Sequence, residues 1–168
     1  RYALNSSNVE KQFTSSGNLL KTVLKAIRVH QWPKNCLLFL PMILMHYYNN
    51  LEVVYSVLIG VLAFTLTSSS VYIVNDLLDL ESDRRHPDKR NRPFASGKLP
   101  LSWGGILALS LLLIGMAFGS LVSGDFLGVL LFYYLTTVVY SFWLKKVALI
   151  DVLVLAHLYT WRIFAGVV

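Results

Sequence analysis

From Val53 to Val74 the chain carries no charged residue, and about 20 apolar residues are what a helix needs to cross the hydrocarbon of a bilayer. That run reads as a membrane span, and Thr65, Thr67, Ser68, Ser69 and Ser70 give it a small, hydroxyl-rich flank suited to close helix packing. Hydrophobic residues make up 55% of the 168 positions and aromatics 13%, too apolar for an ordinary soluble domain. Four further runs fit the same reading: Pro33 through Cys36 to Tyr48, Leu101 to Val122, Phe126 to Leu144, and Leu149 to Val168. The expected fold is therefore all-α, a polytopic transmembrane helical bundle of about five spans. Pro33 suits the first turn of its helix and Pro41 predicts a kink.

Before the first span, Leu20, Val23, Leu24 and Ile27 recur on one face of residues 18–31 while Lys21, Lys25 and Arg28 fall on another. This pattern predicts an interfacial amphipathic helix, with each basic residue contributing roughly 1 kcal/mol beside anionic headgroups. Residues 1–17 are rich in Ser, Asn and Thr without apolar periodicity and read as a linker or tail. The single Cys36 can form no internal disulfide and is expected to be a small packing residue. A chain that opens on Arg1 and stops at Val168 inside an apolar run is expected to be a fragment, 18–168 forming the N-terminal part of the membrane domain with its second half missing.

Charge orients the spans. Lys and Arg crowd the segments before the first span, between the second and third, and at Lys145 and Lys146, whereas residues 49–52 and 123–125 have none. By the positive-inside rule the basic connections are cytoplasmic in a plasma or bacterial inner membrane.

At that end the second span runs into Asn75-Asp76-Leu-Leu-Asp79-Leu-Glu-Ser-Asp83. Helical spacing places Asp76, Asp79 and Asp83 on one face, with Asn75 one turn before Asp79. Like charges so arranged repel, and a cation is expected among them. Aligned oxygen ligands suit a hard divalent ion, and Mg²⁺ commonly completes its shell with substrate phosphate. The alternative is a solvated acidic helix end neutralised by the arginines that follow. The next segment, Arg84 to Pro100, is as basic as its predecessor is acidic. Carboxylates that hold a metal, followed by groups that grip phosphate oxygens, make a site for a Mg-diphosphate. Pro87, Pro93 and Gly97 are expected to shape this loop into a cover, and His86 can be structural or catalytic.

The Asn75-Asp76-x-x-Asp79-x-x-x-Asp83 stretch resembles the first aspartate-rich motif of the UbiA superfamily of intramembrane prenyltransferases. Three other stretches look like its branch that transfers phosphoribosyl groups to polyprenyl phosphates: Arg28-Val-His-Gln31-Trp32-Pro-Lys34-Asn35; His86-Pro87-Asp-Lys89-Arg90-x-Arg92-Pro93-x-Ala95-Ser96-Gly97; and Tyr140-Ser141-x-x-Leu144-Lys145 leading to Asp151. Arg162 through Gly166 fits the continuation, so the resemblance covers most of Val23 to Val168 in order.

The resemblance implies a membrane bundle that binds Mg²⁺ and diphosphate at a cytoplasm-facing cavity. It further implies 5-phosphoribosyl 1-diphosphate as donor, a polyprenyl phosphate lipid as acceptor, and no nucleic acid partner. Asp76, Asp79 and Asp83, with Asn75, would hold the metal and carry the catalytic role. Lys34, Lys89, Arg92 and Lys145 would hold phosphates of sugar or lipid, with Asn35 beside Lys34 at the mouth of the first span. For Lys34 the alternative is snorkelling to the headgroups. Tyr140 either orients a phosphate or is an interface aromatic. Arg162 needs a partner inside its span, and Asp151 is one candidate. The superfamily's second acidic motif has no equivalent here, since Leu155 stands four residues after Asp151. Two other classes fit less well: an aromatic prenyltransferase of the same superfamily, disfavoured by the Gln-Trp-x-Lys-Asn and His-Pro-x-Lys-Arg stretches, and a non-enzymatic protein such as a cation transporter, whose carboxylates should be spread through the spans.

Overall fold

The computed structural model of the chain describes residues 18–142 and 148–168. Helices dominate it, and no strand occurs among the described residues. In chain order the α-helices are α1 (Leu19–Ala26), α2 (Phe39–Leu44), α3 (Leu51–Leu78), α4 (Leu80–Arg85), α5 (Leu101–Val122), α6 (Gly124–Phe142) and α7 (Ala148–Ala165). Of these, α3, α5 and α6 are long and apolar enough to cross a membrane; the chain is an integral membrane protein. Side chains at their starts satisfy orphan N–H groups: Asn50 Oδ1 accepts from the amides of Glu52 and Val53, and Ser123 Oγ from that of Phe126.

The expected first span takes a different form. Val29–Leu38 is a 3₁₀ helix containing Pro33, followed by the six-residue α2, a left-handed His46 (φ 61°) and a 3₁₀ turn at Tyr47–Asn49. Three-residue periodicity explains the choice, because side chains three apart eclipse in a 3₁₀ helix. Trp32, Asn35 and Leu38 thus share one face toward α3: Trp32 Nε1 donates to Ser69 Oγ (3.2 Å), Asn35 Nδ2 to Thr65 Oγ1 (3.0 Å), and Leu38 packs into the core with Ala63 and Phe64. An α-helix would turn those three away from one another by about 60° at each step. The same geometry shortens the amphipathic helix, which stops at Ala26 rather than Gln31 because Arg28 is left-handed (φ 53°) at the junction.

Helix α3 lies at the centre. Against α5 it packs through Gly115, where a methyl group would sit 2.5 Å from Thr67 Oγ1 and 3.0 Å from the Ala63 carbonyl oxygen; Ser70 Oγ donates across the same seam to the Ala108 carbonyl at 2.7 Å. Small residues here replace the hydrophobic driving force that lipid removes from helix association. Leu38, Phe64, Phe126, Leu130 and Tyr133 form the core between α3, α6 and the 3₁₀ segment. The end of α7 closes on that segment at Gly166, whose missing side chain leaves room for the Leu38 carbonyl. Large apolar residues left exposed on α5 and α7, among them Ile106, Leu113, Leu153 and Phe164, are the surfaces a bilayer would cover.

At the basic end the loop after α4 folds onto the bundle. Phe94 and Leu99 are fully buried with Ala26 of α1, Ile73 of α3 and Ala108 of α5, while Val23 and Ile27 pack on the cluster. Gly97 adopts φ 73°, open to glycine at little cost, so the chain can turn between those two anchors. Leu19, Leu20 and Leu24 stay exposed on α1, as on a helix lying at an interface.

Candidate functional site

The acidic stretch does not continue α3 as one straight helix. Asp79 has φ −90° and ψ 8°, ending α3 at Leu78, and α4 restarts at Leu80. Helical bonding persists across the bend, with the Asp79 amide donating to the Asn75 carbonyl and the Asp83 amide to the Asp79 carbonyl. Asp76 and Asp83 are each 2% exposed. Asp79 lines an open hollow with Leu78, Glu81, Ser82, Arg85, His86 and Pro87. The single three-carboxylate face expected from spacing is therefore not formed, and no group of three or more acidic, His or Cys residues placed to share an ion occurs among the described residues. Two of the three carboxylates, Asp76 and Asp83, face a common partner.

That partner is Arg92 of the loop after α4. Its Nη1 donates to Asp83 Oδ2 at 2.7 Å and to Asp76 Oδ1 at 3.3 Å. Arg28 Nη2 reaches the same Asp76 oxygen at 2.5 Å, and its guanidinium lies 5.0 Å from the centroid of Tyr72, one turn earlier on α3. Two carboxylates and two guanidiniums make a neutral cluster held by charge-assisted bonds. Lys25 Nζ ties α1 to the loop through the Asn91 carbonyl at 3.1 Å.

The donor set fits a hard cation. Next to Asp76 in the chain, Asn75 Oδ1 is buried with no hydrogen-bond partner, an oxygen of the kind Mg²⁺ coordinates. Asp76 and Asp83, which converge on Arg92, are the carboxylates that would hold the ion, with Asn75 as a further oxygen donor.

A second polar cluster is set deeper. Arg162, 4% exposed, donates from Nε to Asn35 Oδ1 (3.0 Å), from Nη1 to the Leu158 carbonyl (2.9 Å) and from Nη2 to Tyr133 Oη (3.0 Å). Asn35 in turn donates to Thr65 and Ser68. This corrects one expectation. Asn35, only 2% exposed, does not stand open at a mouth but is consumed in joining the 3₁₀ segment to α3 and α7.

The remaining candidates are dispersed. Lys34 is exposed, its Nζ 5.9 Å from the Tyr159 ring centroid. Lys89 is exposed on a 3₁₀ turn, and His86 Nδ1 faces the amides of Asp88 and Lys89, a local turn contact. Tyr140 is half-buried on α6, seven residues beyond Tyr133 and so on the same face. Lys145 and the side chain of Asp151 lie outside the described residues. Two residues of these clusters were hidden in the sequence. Arg28 passes for one more cation on the basic face of α1, and Tyr133 for one more aromatic in a span; only the quoted Arg28-to-Asn35 stretch signalled the first.

The model of the UbiA prenyltransferase family matches residues 36–168. The chain belongs to this family. Among similar proteins, an uncharacterized protein of Sinorhizobium fredii is 41% identical over 147 residues, covering 88% of this chain and 28% of that protein. A decaprenyl-phosphate phosphoribosyltransferase of Mycobacterium tuberculosis is 36% identical over 153 residues, covering 89% of this chain and 51% of the enzyme. A solved structure described as digeranylgeranylglyceryl phosphate synthase superposes with a TM-score of 0.75 at 22% identity, covering 88% of this chain and 52% of that one; it shares the UbiA fold. The chain thus spans about half, or less, of the relatives it matches.

Proposed function

We propose that this chain supplies one half of the active site of a Mg-dependent transferase that moves a 5-phosphoribosyl group from 5-phosphoribosyl 1-diphosphate to a polyprenyl phosphate. The observation that carries the reading is the buried Asp76–Arg92–Asp83 bridge, with Arg28 on Asp76 and a buried, unbonded oxygen on Asn75, the residue before it. The similar enzyme named decaprenyl-phosphate phosphoribosyltransferase supports the choice of substrates.

Each guanidinium carries five N–H donors. Only Nη2 of Arg28 and Nη1 of Arg92 bond the carboxylates, and the side chains are 23% and 26% exposed. Their other donors are available to the oxygens of a diphosphate seated over the carboxylates. As the C1–O bond of the ribosyl donor lengthens, negative charge gathers on the departing diphosphate, and donors aimed there favour the transition state over the ground state. When bound, Mg²⁺ would supply further stabilisation of that charge. The cover, pinned by Phe94 and Leu99, holds Arg92 in place over the site and limits water that would hydrolyse an oxocarbenium-like centre.

Full-length protein in membranes, given labelled 5-phosphoribosyl 1-diphosphate and a polyprenyl phosphate, is expected to move label into the lipid phase. Prenylated 4-hydroxybenzoate formed from an isoprenyl diphosphate, with no labelled lipid, would decide for the aromatic branch of the family.

The reading also places the site on the cytoplasmic side, where phosphorylated sugars are made, because the Lys- and Arg-rich connections share its end of the bundle. Cysteines introduced between Arg84 and Lys98 should react with an impermeant thiol reagent only from the cytoplasm, and those near Asn50 or Ser123 only from the opposite side. The reverse labelling pattern would sink this orientation.

A further inference from the structure

Arg28 stands just past the end of α1 at φ 53° and ψ 53°, a left-handed conformation that a residue with a side chain keeps only when its surroundings hold it there. The apolar and basic periodicity of residues 18–31 favours a different outcome, one continuous helix. On that helix Arg28 would share a face with Lys21 and Lys25, seven and three residues before it, among the surface cations. In the structure its guanidinium reaches Asp76 at 2.5 Å instead. What holds Arg28 left-handed therefore also decides where its charge goes.

The backbone bonds at this junction point to Ser69 of α3. In a continuous α-helix the Ile27 carbonyl would accept from the amide four residues on, that of Gln31. Here the Gln31 amide donates to the Arg28 carbonyl at 2.8 Å, and the Ile27 carbonyl accepts from Ser69 Oγ at 3.0 Å. Carbonyls at a helix end have no partner within the helix, and the serine hydroxyl supplies one. The same Oγ accepts from Trp32 Nε1 at 3.2 Å, so residues on both sides of Arg28 are fastened to one oxygen. Ser69 is 1% exposed, which leaves water little access to take its place. Tyr72 and Asp76 follow Ser69 by three and seven residues on the same face of α3, and they are the side chains that the Arg28 guanidinium meets.

We infer that Ser69, with Trp32 as its second partner, is a positioning residue for the transfer reaction: it caps α1 at Ile27, keeps Arg28 left-handed and so delivers the guanidinium to Asp76. This rests on the role proposed above for Arg28 at the departing diphosphate. Ser69 lies seven residues from Asp76 along α3, about 10 Å at 1.5 Å per residue, so it acts through Arg28 and not on the substrate. Without the hydroxyl the Ile27 carbonyl is left unpaired, a costly state for a backbone group shielded from water. Residues 27–31 can relieve it by returning to the helix, and that return takes Arg28 away from Asp76.

The test uses full-length protein in nanodiscs, as wild type, Ser69→Ala, Trp32→Phe, Arg28→Ala and Arg28→Ala/Ser69→Ala, with labelled 5-phosphoribosyl 1-diphosphate and a polyprenyl phosphate. Measured per folded molecule, kcat should fall about tenfold in Ser69→Ala while KM for the acceptor stays within twofold. Trp32→Phe keeps a ring but removes the N–H, and should lower kcat severalfold. In the Arg28→Ala background the serine change should alter kcat by less than twofold, because nothing is left for Ser69 to position. An unchanged kcat in Ser69→Ala, or the same loss with and without Arg28, overturns the positioning role and leaves the proposed reaction standing. Should the wild type transfer no phosphoribosyl group, that reaction fails and thermal midpoints of the same proteins decide instead. A double variant that loses clearly less than the two single losses added upholds the hold of Ser69 on Arg28, and full additivity overturns it.

Discussion

Asp76→Asn in the full-length protein is expected to lower phosphoribosyl transfer by about 10³-fold per folded molecule, or about 4 kcal/mol of transition-state stabilisation, while membrane insertion persists. Asp76 is the residue on which both guanidiniums converge, at 2.5 and 3.3 Å, and it is 2% exposed. Removing its charge leaves Arg28 and Arg92 without their shared anion and would weaken a ligand of the proposed cation. Breaking a buried pair by neutralising one member typically costs about 3–5 kcal/mol, so the loss is measured as turnover per folded molecule, normalised by size-exclusion recovery. Asp83→Asn should follow closely, since it holds the other end of Arg92. Asp79→Asn should cost less than either, because Asp79 lines the open hollow beyond the bend rather than the Arg92 bridge. Chelation by EDTA should abolish transfer in the wild type and Mg²⁺ should restore it. Unchanged turnover in EDTA would falsify the metal assignment while leaving the guanidinium bridge intact.

Arg162→Met is expected to destabilise the folded protein more than any other single change in the deeper cluster, by about 3 kcal/mol. Hydrogen bonds to charged groups are worth about 1.5–3 kcal/mol each in water, but pairs inside membranes average nearer 0.6, and three bonds are lost together. Asn35 Oδ1 and Tyr133 Oη would be left buried without their donor. The measurement is thermal unfolding of the full-length protein in detergent, where the midpoint should fall by several degrees. Arg162→Lys should not rescue it, because one ammonium cannot span an amide on the 3₁₀ segment, a phenol on α6 and a carbonyl on α7. The double variant Asn35→Ala/Arg162→Met should lose clearly less than the two single losses added, since both remove the same bond. Full additivity would show that Asn35 and Arg162 act separately.

The sequence by itself determined the architecture's class and set an acidic stretch and a basic loop at one end of the bundle. Uncharged runs long enough to span a bilayer can satisfy their backbone only as helices once surrounded by lipid, so α3, α5 and α6 are legible, as is the turn at Gly97 in the basic loop. The four motif stretches carried the family, which the match over residues 36–168 shows.

Tertiary contacts decided what periodicity could not. A helical wheel places Asp76, Asp79 and Asp83 together, but in the structure Arg92, sixteen residues beyond Asp76, bridges the two outer carboxylates while Asp79 lines a separate hollow. The same wheel makes an α-helix of the first span, whereas three anchors on α3 draw Trp32, Asn35 and Leu38 into a 3₁₀ register. Asn35 and Arg162, 127 residues apart, are joined by a bond that no local pattern encodes. Local spacing fixes which side chains share a face of one element; which charge on another element meets that face depends on how the helices pack, and that is set by close approaches such as Gly115 on Thr67 and Gly166 on Leu38.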